Sequence, residues 1–122
     1  MNLRLPDSGS LLGSVLSGLG RSAIDDGSGI AIPAVTEAQL AEAIAAMTRG
    51  DIEYVILESG DAFLQAAGEG QGPYALQFSP ASGAAMIEVP GGVDANTMRA
   101  VLLGYYAGDP GWRGACRWAA MP

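Results

Sequence analysis

IEYVILESGDAFLQAAGEGQGPYALQF, residues 52–78, is the stretch that decides the fold. Residues 52–58 are rich in β-branched and aromatic side chains and predict a strand. Ser59-Gly60-Asp61 carries turn chemistry, since Gly takes positive φ freely and Asp bonds its own backbone. Residues 62–67 then predict the second arm of a hairpin. Gly68-Glu69-Gly70-Gln71-Gly72-Pro73 reads as a loop. From Tyr74 to Phe78 the pattern alternates, with Tyr74, Leu76 and Phe78 on one face and Ala75 and Gln77 on the other. Residues 79–83 read as another turn and 84–89 as a strand. Hairpins in such close succession build an antiparallel meander.

Working outward, Thr36-Glu37-Ala38-Gln39 matches a capping box, in which Thr36 and Gln39 satisfy each other's free backbone N–H groups. Leu40, Ala43, Ile44 and Met47 follow on one helical face, and Gly50 is a natural stop, so a helix is predicted over 37–49. Residues 29–35 predict a short strand, with Pro33 placing it at a sheet edge. On the other side, Pro90-Gly91-Gly92 breaks the chain and Asp94 caps a helix running to about 106. Met98, Val101, Leu102 and Tyr105 line one face of it, and Gly108 ends it. Asp109-Pro110-Gly111 is a turn, and the tail with Trp112, Cys116 and Trp118 reads as a last short strand. The order is β-α-β-β-β-β-α-β. It predicts an α+β domain: an antiparallel sheet of about five to six strands with two helices packed on one face.

Residues 1–28 read as a Gly/Ser-rich N-terminal arm outside the single domain of 29–122. Leu12, Val15, Leu16 and Leu19 share a helical face, so a weak helix over 10–20 that needs a docking surface is one reading; a flexible arm is the other. The apolar run 11–19 is broken by Gly and Ser and followed by Asp25-Asp26, which argues against a cleaved signal. No stretch approaches the roughly twenty apolar residues that span a bilayer.

The chain has 122 residues, 18 of them Gly, with 13 acidic residues against six Arg, no Lys and a net charge of −7. Nucleic acid and anionic membranes repel such a balance, so neither is expected as a partner. A basic protein is favoured, because an acidic surface speeds its encounter; plain solubility accounts for the charge equally well. One cysteine excludes an internal disulfide and fits a reducing, cytoplasmic setting.

Catalytic combinations are scarce. The chain has no His and no Lys, which removes the commonest general base, Schiff-base chemistry and a Ser–Lys dyad. Cys116 lacks a His to activate it and reads as a buried core thiol. Gly68-x-Gly70-x-Gly72 lacks the spacing and following helix of a phosphate loop. Asp51 and Glu53 would point the same way in a strand and could meet a hard cation, but carboxylates at a strand start are ordinarily a solvated edge. The expectation is no enzyme, no metal and no cofactor.

Several segments carry a resemblance: Tyr54-Val55-Ile56-Leu57-Glu58, Phe63-Leu64-Gln65-Ala66-Ala67-Gly68, Tyr74-Ala75-Leu76-Gln77-Phe78, and the ending Leu103-Gly104-Tyr105-Tyr106-Ala107-Gly108-Asp109 with Trp118 behind it. Over residues 36–122 the chain resembles the immunity proteins of bacterial polymorphic toxin systems, in particular the family encoded beside deaminase toxins. The resemblance implies a non-catalytic domain that binds and neutralises a cognate toxin, and carries over no contact residue. Asp51, Glu53, Glu58, Asp61 and Glu69 are the carboxylates expected on display to a basic toxin domain, with Tyr106 and Trp112 as candidate aromatic anchors. Trp118 is taken as core, while Trp112 stays open between core and interface. The competing class is a small acidic secretion chaperone or an accessory or assembly protein, and the chain is expected as a monomer or homodimer.

Overall fold

The computed structural model describes residues 1–6, 24–25, 30–81 and 85–121. In chain order the strands are β1 (Asn2–Leu5), β2 (Ile24–Asp25), β3 (Ile30–Ile32), β4 (Tyr54–Ser59), β5 (Ala62–Ala67), β6 (Ala75–Ser79), β7 (Ile87–Glu88) and β8 (Ala119–Ala120). The helices are α1 (Glu37–Thr48), between β3 and β4, and α2 (Ala95–Ala107), which is followed by a 3-10 helix, Pro110–Ala115. The strands form one eight-stranded sheet in the order β2-β3-β1-β4-β5-β6-β7-β8, with every pairing antiparallel. The α+β architecture with helices on a sheet is therefore as expected.

The meander is where the 52–78 reading places it. Tyr54 pairs with Ala67 and Ser59 with Ala62 across β4 and β5; Ala67 pairs with Ala75 and Phe63 with Ser79 across β5 and β6. Alternation then fixes the faces. Val55, Leu57, Leu64, Ala66, Leu76 and Phe78 are buried on the first face with Leu40, Ile44 and Met47 of α1 and Met98, Val101 and Leu102 of α2. A fully buried Leu such as Leu57 is stabilised by about 2 kcal/mol relative to an exposed one.

Both helices start as the sequence prescribes. Gln39 N donates to Thr36 Oγ1 (3.1 Å) and Thr36 N to Gln39 Oε1 (2.8 Å), a cap worth about 1 kcal/mol. Asp94 caps α2 by accepting from Thr97 N at 2.8 Å, which holds its carboxyl below the usual carboxylate range. Gly108 ends α2 at φ 75°. Gly104, an unfavourable residue inside a helix, is explained by Trp112: a Cβ at Gly104 would lie 3.1 Å from the Trp112 Cβ.

Three expectations need correction. The N-terminal arm of 1–28 does not hold as one unit, because β1 lies inside the sheet between β3 and β4, with Leu3 and Leu5 fully buried. Met1 O also accepts from Val35 N at 3.0 Å. The sheet accordingly exceeds five to six strands. Since β3 and β4 are both antiparallel to β1, they run parallel to each other, and β3-α1-β4 is a crossover unit split by β1. Next, β3 is no edge: it pairs with β1 and β2, and Pro33 falls in the turn beyond it, where no ladder N–H is needed. Finally, the strand expected over 84–89 shortens to Ile87–Glu88 among the described residues. The weak helix expected over 10–20 lies outside the described residues.

Candidate protein-binding surface

Both long helices pack on the first face of the sheet. Cross-strand register defines what the second face carries. One row runs Ala31, Arg4, Ile56, Gln65, Gln77, Glu88 and Ala119 from β3 to β8. Beside it stand Glu58, Phe63 and Ser79 on one side and Tyr54, Ala67 and Ala75 on the other. Tyr54, Ile56, Glu58, Phe63, Gln65, Gln77 and Glu88 are all half-buried. The face is thus mixed: aromatic and aliphatic surface at Tyr54, Ile56 and Phe63, amides at Gln65 and Gln77, and carboxylates at Glu58 and Glu88. Contiguous partly exposed apolar surface rimmed by polar groups is the composition of an interaction surface.

The five nominated carboxylates do not form one patch. Asp51, Glu53 and Glu69 gather where β4 begins and β5 ends: Gly68 N donates to Glu53 O at 2.9 Å, and a Cβ at Gly50 would lie 3.6 Å from Glu69 Oε2. Glu58 and Asp61 lie at the opposite, hairpin end, about 17 Å away along five strand steps. Two of the five are already paired, Glu58 with Arg4 Nε (3.0 Å) and Asp51 with Arg49 Nε (3.0 Å). Such exposed pairs contribute about 0–1 kcal/mol each. Among the described residues no ion pair engages Glu53, Asp61, Glu69 or Glu88. The shared strand imagined for Asp51 and Glu53 does not exist, since both precede β4. Among the described residues no three His, Cys, Asp or Glu side chains come together to hold a metal ion.

The aromatic candidates both make contacts within the domain. Tyr106 is not a free anchor: its hydroxyl donates to Val35 O at 2.9 Å and ties α2 to the segment before α1. Trp112 sits edge-on to Phe78 (4.9 Å), Tyr105 (5.2 Å) and Trp118 (5.6 Å), with the Arg113 guanidinium 5.9 Å from its ring. Such edge-to-face pairs each add about 1 kcal/mol beyond burial, so Trp112 closes the end of the core. Trp118 and Cys116, expected as core, are both half-buried and pack against it. The 3-10 helix carries no buried residue and keeps this tail at the rim. Trp118 Nε1 is buried without a hydrogen-bond partner among the described residues. Partial burial pushes the Cys116 thiol up, away from the reactive thiolate.

The glycine loop serves packing. Tyr74 is fully buried, and its hydroxyl donates to Gly70 O at 2.6 Å. A Cβ at Gly68 or Gly72 would come within 2.8 Å of Pro73 O or 2.9 Å of Val93 O. The loop is therefore glycine because it wraps closely around one tyrosine. Burial, aided by the Glu69 carboxylate, raises the Tyr74 phenol above its ordinary value.

The residues that sequence reasoning missed are Tyr54, Ile56, Phe63 and Glu88. Their signal was present: they are the off-beat positions of the strands whose on-beat positions form the core. No helix among the described residues is long and apolar enough to cross a membrane. Compared with known proteins, the chain matches no family model, no curated protein and no solved structure.

Proposed function

We propose that this chain is a non-catalytic protein-binding domain that seats a basic protein domain on the second face of its sheet. The observation that carries the reading is the half-buried Tyr54, Ile56 and Phe63 in three adjacent cross-strand rows, with Glu58 opposite Phe63 and Glu88 in the Ile56 row, on the side of the sheet opposite both helices. The net charge of −7 supplies complementarity to a basic partner and steers its approach. An immunity protein that neutralises a cognate bacterial toxin in a reducing cytoplasm is the form of this function that the resemblance favours, and a basic toxin domain is the partner it implies. Carboxylates with no ion pair among the described residues, Asp61 at the hairpin and Glu53 and Glu69 at the far end, extend the acidic field beyond the face.

The test is capture of the partner from native lysate with the tagged chain, followed by reconstitution of the purified pair. The reading expects a basic protein bound one to one, with an association rate that falls as salt is raised. A stable dimer of the chain holding an extended peptide would overturn it in favour of a chaperone.

A further inference from the structure

We propose that a cleft at the β6–β7 side of the second face receives an arginine side chain of the protein partner, an inference that rests on the protein-binding reading above. The cleft has a volume of about 320 Å³ and lies between Ala67 and Ala75 of the sheet and the turn at Pro90, Gly91 and Gly92. Its walls are apolar, from the two alanines, Pro73, Val89 and Pro90, and among the described residues Glu88 is the single charged one that lines it. Gly91 and Gly92, at φ 80° and 76°, present backbone without side chains. Glu88 is half-buried and has no ion pair among the described residues.

This combination selects its occupant. An acidic side chain would meet Glu88 at close range and be repelled. A purely apolar one would fill the walls but strip water from a carboxylate without replacing its bonds. A long basic side chain satisfies both parts, because its methylene stem covers apolar wall while its head reaches the carboxylate. Arginine is favoured over lysine, since its guanidinium is weakly hydrated, planar and able to bond a carboxylate through two N–H groups. The chain's own Arg4, Arg49 and Arg113 are engaged elsewhere, with Glu58, with Asp51 and over the Phe78 ring.

The experiment titrates the full ¹⁵N-labelled chain with Nα-acetyl-arginine N-methylamide and follows the backbone amides. The expected result is saturable shifts centred on Ala75, Gly91 and Gly92. They weaken about tenfold in Glu88→Gln, as loss of a charge-assisted bond implies, and are weaker still with the norleucine analogue. Shifts scattered over Asp51, Asp61 and Glu69, or shifts that Glu88→Gln leaves unchanged, overturn the cleft; a lysine analogue that binds equally well overturns the choice of arginine. Failure of the arginine probe alongside capture of a basic partner sinks the cleft alone. Binding of the probe with no basic partner captured sinks the protein-binding reading and leaves the cleft standing.

Discussion

Gly91 and Gly92 are adjacent, share a left-handed backbone (φ 80° and 76°), and differ in what a side chain would meet. At Gly91 a Cβ meets nothing within 4 Å among the described residues. At Gly92 it would lie 2.9 Å from Tyr74 O and 3.1 Å from the Pro73 Cβ. Tyr74 O is no bystander: it accepts from Val93 N at 2.9 Å, while Tyr74 N donates to Val93 O at 2.7 Å. Gly91→Ala therefore carries only the left-handed penalty, about 1 kcal/mol. Gly92→Ala carries the same penalty and must also open the Tyr74–Val93 bridge, at about 1 kcal/mol for each of its hydrogen bonds. The total is about 3 kcal/mol. Urea unfolding followed by tryptophan fluorescence reads the difference, and calorimetry should show melting-point losses of about 4 °C and about 12 °C at this chain length. Equal destabilisation of the two variants would refute the close-approach argument, since the backbone conformation is common to both.

Four further outcomes follow from the structure. Leu57→Ala, at a fully buried core position, should cost 2–5 kcal/mol by denaturant titration, at about the usual range for a core Leu. Tyr106→Phe removes the donor to Val35 O and should cost about 1 kcal/mol of stability while leaving the affinity for a captured partner unchanged. Asp94 has a lowered folded-state pKa, so its contribution is present above the ordinary value of 3.8 and is lost as pH falls through the folded value. The stability gap between the native chain and Asp94→Asn should accordingly shrink below about pH 4, read from urea midpoints across an acid series. The Cys116 thiol, raised above its ordinary 9.0 by burial, should react with iodoacetamide at neutral pH more slowly in the folded than in the urea-unfolded chain.

How legible the fold was depended on how many residues carried each signal. The meander was plain because β4, β5 and β6 each supply at least two on-beat core residues and the turns between them have named chemistry. The caps at Thr36 and Asp94 were plain because capping depends on local side chains. Strand β1 was missed although Asn2-Leu3-Arg4-Leu5 alternates correctly. Four residues ahead of a long Gly/Ser run give too little pattern, and their partners β3 and β4 are far along the chain. Pro33 was misplaced because proline excludes a ladder position without saying where the strand stops. At the site, charge was readable but its arrangement was not. The sequence neighbours Glu58 and Asp61 share a hairpin end, whereas Glu69 joins Asp51 only through strand pairing. Tyr106 looked like an anchor because its bond to Val35 spans 71 residues of sequence.

The most direct test of the central claim is the affinity of the purified partner for two charge variants. Phe63→Arg places a positive charge on the second face, and Glu42→Arg places one on an exposed position of α1, on the helix side. Circular dichroism should show both variants folded. The account predicts that Phe63→Arg weakens binding about a hundredfold, as like charge within an interface does, and that Glu42→Arg changes it less than about threefold. Unchanged binding in Phe63→Arg with loss in Glu42→Arg would contradict the account and move the interface to the helices.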